Sequence, residues 1–380
     1  MSNVALNMVG PATFSTGYGI HFVNLALALS KRFEVSMTPR SALDPKLAPN
    51  PMVKAMCDAE FNYKAPTICV WFADCMQLFT GATRIGFPVF ESNLLTEKQV
   101  YHITELDHLL VTSRWAEEVV EVSAQNYDLE GLLPNVSVVH EGFDPGVFQP
   151  KDVKENYMTL GWKRPYIQNI GKWEERKGHP ELIKVMGELA SEGFEFTFVG
   201  MWNNKFQANW REHANHYLAM HGFFQRKPGV YEKADVTIVL PDSMETSHDL
   251  ANLMSICDFG VYPYKSEGWC LPLLETMACA KPVIATNYSA PTEYLIDAAG
   301  ILLPARAFEQ IYDNVFFRDA IGEWAKISHD DLKNAMIRMI QMGEAERFAM
   351  GAVAAERASH FTWDDSADKV IKCLGENAFI

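Results

Sequence analysis

Two carboxylates, Glu267 and Glu275, stand with seven residues between them in Ser266-Glu-Gly-Trp-Cys-Leu-Pro-Leu-Leu-Glu-Thr-Met-Ala-Cys-Ala-Lys-Pro-Val-Ile-Ala-Thr286. Phe259 to Pro263 is an apolar run of strand type, Gly268 permits a tight backbone, and Pro272 suits a first helical position, so a helix is expected over about 272–280. The unpaired amides at its start, with those of Trp269, Cys270 and Leu271, would offer donors and a positive dipole end to an anion. Glu267 then lies before the turn and Glu275 in the first helical turn, so the pair can accept hydroxyls at two ends of one ligand. The alternative is plainer: Glu275 complements the helix dipole and Glu267 is a solvated loop acid.

A second cluster supplies the opposite charge. Lys172, Arg176 and Lys177 lie in Gly171-Lys-Trp-Glu-Glu-Arg-Lys-Gly178, directly after the expected strand Tyr166 to Ile170. Open α/β sheets bind ligands at the C-terminal ends of their strands, and these cations there could anchor a diphosphate and offset charge on a leaving group. The same loop also reads as a solvated charged turn balanced by Glu174 and Glu175.

The Glu267 segment resembles the signature of the family 4 retaining glycosyltransferases, also described as group 1. The resemblance implies a GT-B fold, α/β, with two Rossmann-like domains facing each other across a cleft. It implies that Glu267 holds sugar hydroxyls, that Gly268, Trp269, Cys270 and Leu271 present amides to sugar and phosphate, and that Glu275 holds the ribose. The cationic loop is similar to that family's phosphate loop, with Lys177 at its lysine. Lys172 stands where the family has arginine, a point charge in place of a bidentate fork, and Arg176 is the residue that could compensate.

Thr16-Gly17-Tyr18-Gly19 follows a strand-like run and opens a helical one. It fails the dinucleotide fingerprint because Phe22 occupies the third glycine's place. Gly17 and Gly19 then either serve a tight turn or, as the resemblance implies, face the donor diphosphate across the cleft. Many relatives carry a histidine near the end of Ile85 to Phe90, whereas this chain offers Glu91. That carboxylate could stabilise a cationic sugar-like transition state or touch the acceptor hydroxyl, or it could be a loop acid. Glu91, Lys177 and Glu267 are therefore the catalytic candidates.

Length and composition agree. The 380 residues with 48% hydrophobic content suit two cores. The formal charge of −15 divides into −7 over residues 1–150 and −8 over the remainder, so neither half has the basic excess expected of a nucleic-acid or anionic-membrane binder. Seven cysteines without a Cys-x-x-Cys pair favour reduced, buried thiols over a disulfide framework or zinc. No apolar run reaches membrane-spanning length, and a cytoplasmic location is expected. His213 and His216 lack a third ligand and no Asp-x-Asp element is evident, so neither cofactor nor essential metal is expected; the nucleotide-sugar is a co-substrate.

Alternating strand-like and helical periods predict a doubly wound architecture. Strands are expected at Val4–Val9, Cys69–Phe72, Ile85–Phe90, Leu109–Thr112 and Val136–His140, then at Tyr166–Ile170, Glu195–Val199, Val236–Leu240, Phe259–Tyr262 and Pro282–Ala285. Thr96 with Gln99 forms a capping-box pattern. The domains are set at 1–150 for the acceptor side, 151–355 for the donor side, and 356–380 for a closing helix that crosses back, with the linker at 144–163. Trp202, Trp210, Phe223 and Phe224 read first as core and second as an acceptor platform.

The implied reaction is metal-independent, retaining transfer of a sugar from a nucleoside-diphosphate sugar to an acceptor hydroxyl, with a saccharide favoured and a modified nucleic-acid base as the other candidate. Two further readings stay open: a catalytically silent sugar-nucleotide binder, and a nicotinamide-dependent oxidoreductase, against which the missing third glycine speaks.

Overall fold

The computed structural model describes residues 4–151, 162–242, 244, 246–312 and 321–380. The expected linker at 144–163 thus falls partly outside the described residues. The first domain is a parallel sheet of β1 (Val4–Gly10), β2 (Phe33–Pro39), β3 (Pro66–Cys69), β4 (Thr83–Gly86), β5 (His108–Val111) and β6 (Asn135–Val138), in the order β2-β1-β3-β4-β5-β6. Strands β3 and β5 are buried along their whole length and β1 from Leu6 onward.

The second sheet contains β7 (Tyr166–Ile170), β8 (Phe196–Met201), β9 (Phe224–Lys227), β10 (Val230–Lys233), β11 (Val236–Val239), β12 (Phe259–Tyr262), β13 (Val283–Asn287) and β14 (Gly300–Pro304). Its order is β14-β13-β12-β7-β8-β11-β10-β9, parallel except for the β9–β10–β11 edge. Strand order reverses between β7 and β12, so the crevice beyond their C-terminal ends is the topological switch point of a doubly wound sheet. A short ribbon of β15 (Phe308–Gln310) and β16 (Glu323–Ala325) projects from this domain.

Local chemistry accounts for the helices that matter here. Thr16 caps the Gly17–Leu29 helix, its hydroxyl accepting from the Gly19 amide. Thr96 and Gln99 form the reciprocal capping box before Glu97–Thr104. Some expected strands shift: the Cys69–Phe72 run pairs only through Cys69, so Trp71 and Phe72 lie in the loop beyond β3, and Ile85–Phe90 pairs only through Gly86. Strands β2 and β14, the β9–β10 hairpin and the β15–β16 ribbon are not among the expected strands, although Phe33, Val35 and Met37 of β2 alternate with polar residues.

The Trp363–Glu376 helix lies against Gly17–Leu29 of the first domain. Thr362 bridges Phe143, Ser366 Oγ donates to the His140 carbonyl, and Lys31 pairs with Asp364. One buried apolar cluster runs from Leu6, Phe22 and Phe87 through Phe361 and Trp363 to Trp269, Leu273 and Met277. The domains are therefore joined by packed core as well as by chain.

Candidate active site

The loop after β7 and the loop after β12 meet at the switch point. Arg176 is the centre of the junction, with only 4% of its surface exposed. Its Nη1 lies 2.7 Å from Glu267 Oε2 and its Nη2 lies 3.0 Å from Glu174 Oε2. The same Nη2 stands 3.3 Å from Glu91 Oε1, which comes from the first domain. Lys177 Nζ donates to Glu267 Oε1 at 2.5 Å. Glu91 and Glu267, two of the three catalytic candidates, thus meet at one guanidinium, and Lys177 joins them through Glu267.

Burial would raise the Glu267 pKa, but Arg176 and Lys177 outweigh it and hold the carboxyl below the usual range. Glu174 behaves likewise: burial opposes ionisation, yet Arg176, Lys172 and Lys177 bring it to about 2. Glu91 goes the other way, raised because burial exceeds the help it receives from Arg176. Two firmly ionised acids and one less acidic neighbour therefore share the cationic pocket.

Lys172 is more peripheral than the other cations. It pairs with Glu174 Oε1 at 2.6 Å and lies 5.5 Å from the Phe206 ring centroid. Arg176 occupies the interior position between the two loops. Glu174, quoted in the sequence only as a balancing acid, is the partner that orders both Lys172 and Arg176.

The Glu267 loop is built to leave donors open. Its own amide donates to Ser289 Oγ at 2.8 Å. Among the described residues the backbone N–H groups of Gly268, Trp269, Cys270 and Leu271 make no hydrogen bond. They precede the Leu271–Ala278 helix, with Cys270 in the left-handed region at φ 71° and Pro272 in the first turn. This is the arrangement that binds anions at a helix N-terminus. The Trp269 side chain is core, stacked on His140 with centroids 5.3 Å apart.

Glu275 is buried on that helix and, among the described residues, has no hydrogen-bond or ion-pair partner. Burial alone raises its pKa to about 8. It is therefore not a solvated acid balancing the dipole.

Gly268 touches the first domain directly. A Cβ there would stand 2.4 Å from Val89 Cγ1 and 2.9 Å from Phe90 O, and Thr112 Oγ1 donates to the Gly268 carbonyl at 2.6 Å. The Tyr18 hydroxyl donates to the Val89 carbonyl, bringing the Gly-rich loop to the same point. The two glycines of that loop differ. A Cβ on Gly19 would meet Thr13 O at 2.0 Å, whereas Gly17 has open space around it.

Glu91 is also held from outside its own domain. Trp324 Nε1 donates to the Glu91 carbonyl at 3.1 Å, Glu323 N donates to Asn93 Oδ1 at 2.7 Å, and Ser92 Oγ donates to Ile321 O. The ribbon thus ties the Glu91–Leu94 segment to the second domain. Sequence reasoning missed this ribbon, together with Tyr18 and Thr112; Tyr18 had a local signal, its place between two glycines, and Ser289 lies in the loop 287–293 that the sequence offers as a weaker candidate border of the donor.

The suggested aromatic platform is not one. Trp202 is fully buried and donates to Asn169 Oδ1, Trp210 and Phe223 are core, and Phe224 is exposed on the outermost strand β9.

Two facing doubly wound domains with the ligand crevice between them define the GT-B class. The chain matches the family described as glycosyl transferases group 1 over residues 242–315, which include Glu267 and Glu275. It is 28% identical over 208 residues to the D-inositol 3-phosphate glycosyltransferase of Paenarthrobacter aurescens strain TC1, covering 51% of this chain and 47% of that one. It is 24% identical over 287 residues to the protein of the same name from Mycobacterium bovis strain BCG Pasteur, covering 74% and 51%. The chain spans about half the length of the curated relatives it matches.

Among solved structures it is similar to sucrose-phosphate synthase from Thermosynechococcus elongatus, with a TM-score of 0.68 at 16% identity over 98% of each chain. It is also similar to Anabaena HepE in complex with UDP and glucose, with a TM-score of 0.70 at 12% identity over 98% of this chain and 100% of that one. At such identities these likenesses establish the fold.

Proposed function

We propose that this chain moves a sugar from a nucleoside-diphosphate sugar to an acceptor hydroxyl with retention of configuration and without a metal. The observation that carries the reading is the meeting of Glu267, Arg176 and Lys177 at the switch point, with Glu91 facing them from the other domain. Open amides at Gly268 to Leu271 add the donors that a diphosphate needs.

The ion pairs suggest how the donor would be accommodated. Arg176 and Lys177 neutralise Glu267, so an entering diphosphate competes for the cations and leaves the Glu267 carboxylate able to accept sugar hydroxyls. With the cations drawn to the diphosphate, the buried Glu267 carboxylate is satisfied by hydrogen bonds from the sugar hydroxyls. Glu275, uncharged at neutral pH, both donates and accepts and would meet a ribose diol as a neutral acid. As the sugar leaves, negative charge grows on the diphosphate, where cations and amides stabilise it. The acceptor hydroxyl would attack on the face that the diphosphate leaves, passing its proton to a phosphate oxygen. Glu91 stands on the side from which the acceptor enters.

The test has two stages. A panel of nucleotide-sugars is screened by thermal shift, and the best donor is then offered saccharide acceptors with product anomers read by NMR. Transfer with the donor's anomeric configuration, undiminished by EDTA, is expected; inverted product removes the retaining mechanism, and EDTA sensitivity removes metal independence. Donor binding with no transfer to any acceptor favours the silent binder instead.

A further inference from the structure

We infer that Lys265 is a positioning residue for the transfer step: its buried ammonium anchors the β15–β16 ribbon to the second domain, and the anchored ribbon fixes Glu91 against Arg176. This deepens the transferase reading and rests on it; the anchoring itself does not.

Lys265 lies two residues before Glu267, and only 1% of its surface is exposed. Lysine is almost never so deeply buried unless its charge is paired. Its Nζ lies 2.8 Å from Glu309 Oε1 on β15 and 3.2 Å from Glu181 Oε1 on the helix His179–Ser191. It also donates to the hydroxyl of Tyr312, beyond the end of β15. Burial would strip the proton, but Glu181, Glu309 and Tyr312 outweigh it and hold the pKa above the usual lysine range. The main chain of the same residue adds two bonds. Its amide donates to the Arg176 carbonyl at 2.7 Å, and its carbonyl accepts from the amide of Ala325 on β16 at 3.0 Å. The cationic loop, the Glu267 loop and both strands of the ribbon therefore meet at Lys265.

From this junction the contacts run on to Glu91. The Tyr312 ring centroid lies 6.3 Å from that of Trp324 at an interplanar angle of 66°, and Trp324 is the residue whose Nε1 donates to the Glu91 carbonyl. The ribbon needs an anchor because each of its strands has three residues, and a two-stranded hairpin alone is marginal in water. An apolar side chain at position 265 would avoid the desolvation cost of a buried ammonium. What the ammonium adds is direction: its three N–H donors meet oxygens of Glu181, Glu309 and Tyr312, and so orient the ribbon on the helix.

A double-mutant cycle on the full chain tests this. Lys265→Met keeps the stem and deletes the charge, while Glu181 and Glu309, both partly exposed, can be hydrated in its absence. With the nucleotide-sugar chosen by thermal shift, kcat should fall about three- to tenfold at unchanged donor KM, the size of one lost hydrogen bond. In the Glu91→Gln background the same substitution should lower kcat no further, because Lys265 acts through Glu91. An unchanged kcat, additive losses, or a matching rise in donor KM overturns the proposal. Glu309→Gln breaks the same pair from the ribbon side and should give the same signature, so a Lys265→Met chain that fails to fold leaves the test intact. The anchoring is read without turnover by labelling with 5-fluorotryptophan and identifying the Trp324 resonance by its loss in Trp324→Phe. That resonance should shift or broaden in Lys265→Met and in Glu309→Gln while the remaining indole signals stay in place; an unmoved Trp324 signal overturns the anchoring. Absence of transfer by the unmodified chain sinks the transferase reading, and the fluorine spectrum still decides whether Lys265 holds the ribbon.

Discussion

Arg176 Nη2 and Glu91 Oε1 stand 3.3 Å apart, and because the first belongs to the second domain and the second to the first, the pair is an electrostatic tie across the cleft. Glu91 is held against the same guanidinium that binds Glu267.

Replacing Glu91 by Gln keeps size and removes charge. In single-turnover transfer with saturating donor, the rate should fall about 10- to 100-fold. An unchanged rate removes Glu91 from the chemistry.

Glu267 neutralises two buried cations, so its truncation has a structural as well as a chemical consequence. Glu267→Ala should abolish transfer and also lower stability, by about 3–5 kcal/mol if the cations remain dry, since a broken buried pair strands its partners. Glu267→Gln separates the two effects: urea unfolding should lie closer to that of the unmodified chain while transfer stays at least about 100-fold down. Normal turnover in Glu267→Gln would overturn the site.

Gly268 is a steric gauge of domain approach. In Gly268→Ala the new methyl meets Val89 Cγ1 at 2.4 Å and Phe90 O at 2.9 Å, so either loop or domain must yield. Turnover should drop about tenfold or more, as expected when catalytic groups are displaced by about an ångström. Small-angle scattering should show a slightly larger radius of gyration, and identical scattering with full activity would show that the contact is dispensable.

Glu275 makes stability depend on pH in the direction opposite to a salt-bridged acid. Its folded-state pKa of about 8 exceeds the value of 4.5 for an unperturbed glutamate, so between these limits the native state holds a proton that the unfolded chain has lost. The stabilisation is complete below the unfolded pKa and is lost as pH rises toward the folded one. Glu275→Gln should flatten this alkaline decline, with a difference on the order of a few kcal/mol across the window. Denaturation midpoints from pH 5 to 9 in both proteins check it; parallel profiles would refute the assignment.

Trp324 positions Glu91 through the backbone without touching a substrate. Trp324→Phe deletes the hydrogen bond to the Glu91 carbonyl and keeps most of the buried ring. The expected signature is a kcat reduced about three- to tenfold with donor KM unchanged, reflecting one lost hydrogen bond. A matched change in both constants would point to a general packing defect.

Much of the second domain was legible in the chain itself. Phe259–Tyr262 is an uninterrupted apolar run, Tyr166–Ile170 is apolar apart from Gln168 and Asn169, and the Gly and Pro residues that follow them mark the loops with little ambiguity. The capping box at Thr96 and the Ser328 cap with acids at Asp330 and Asp331 follow from side-chain chemistry within one helical turn. Strand ends in the first domain were harder, because Trp71, Phe72 and Val89 have strand-like character but lie beyond the ladder. Propensity does not say where pairing stops.

Residue types and their spacing set which groups were available: an acid before a helix, an acid within it, and a cationic loop after a strand. Those are local facts, written in residue type and spacing. Only the tertiary structure decided who meets whom. Glu174 proved to be the counterion of Arg176, Glu91 arrived from the other domain, Trp324 held it there, and among the described residues the Glu275 carboxyl was left without a partner. Coulomb and desolvation energies depend on distances set by two sheets and a returning helix, and no short stretch of chain encodes those distances.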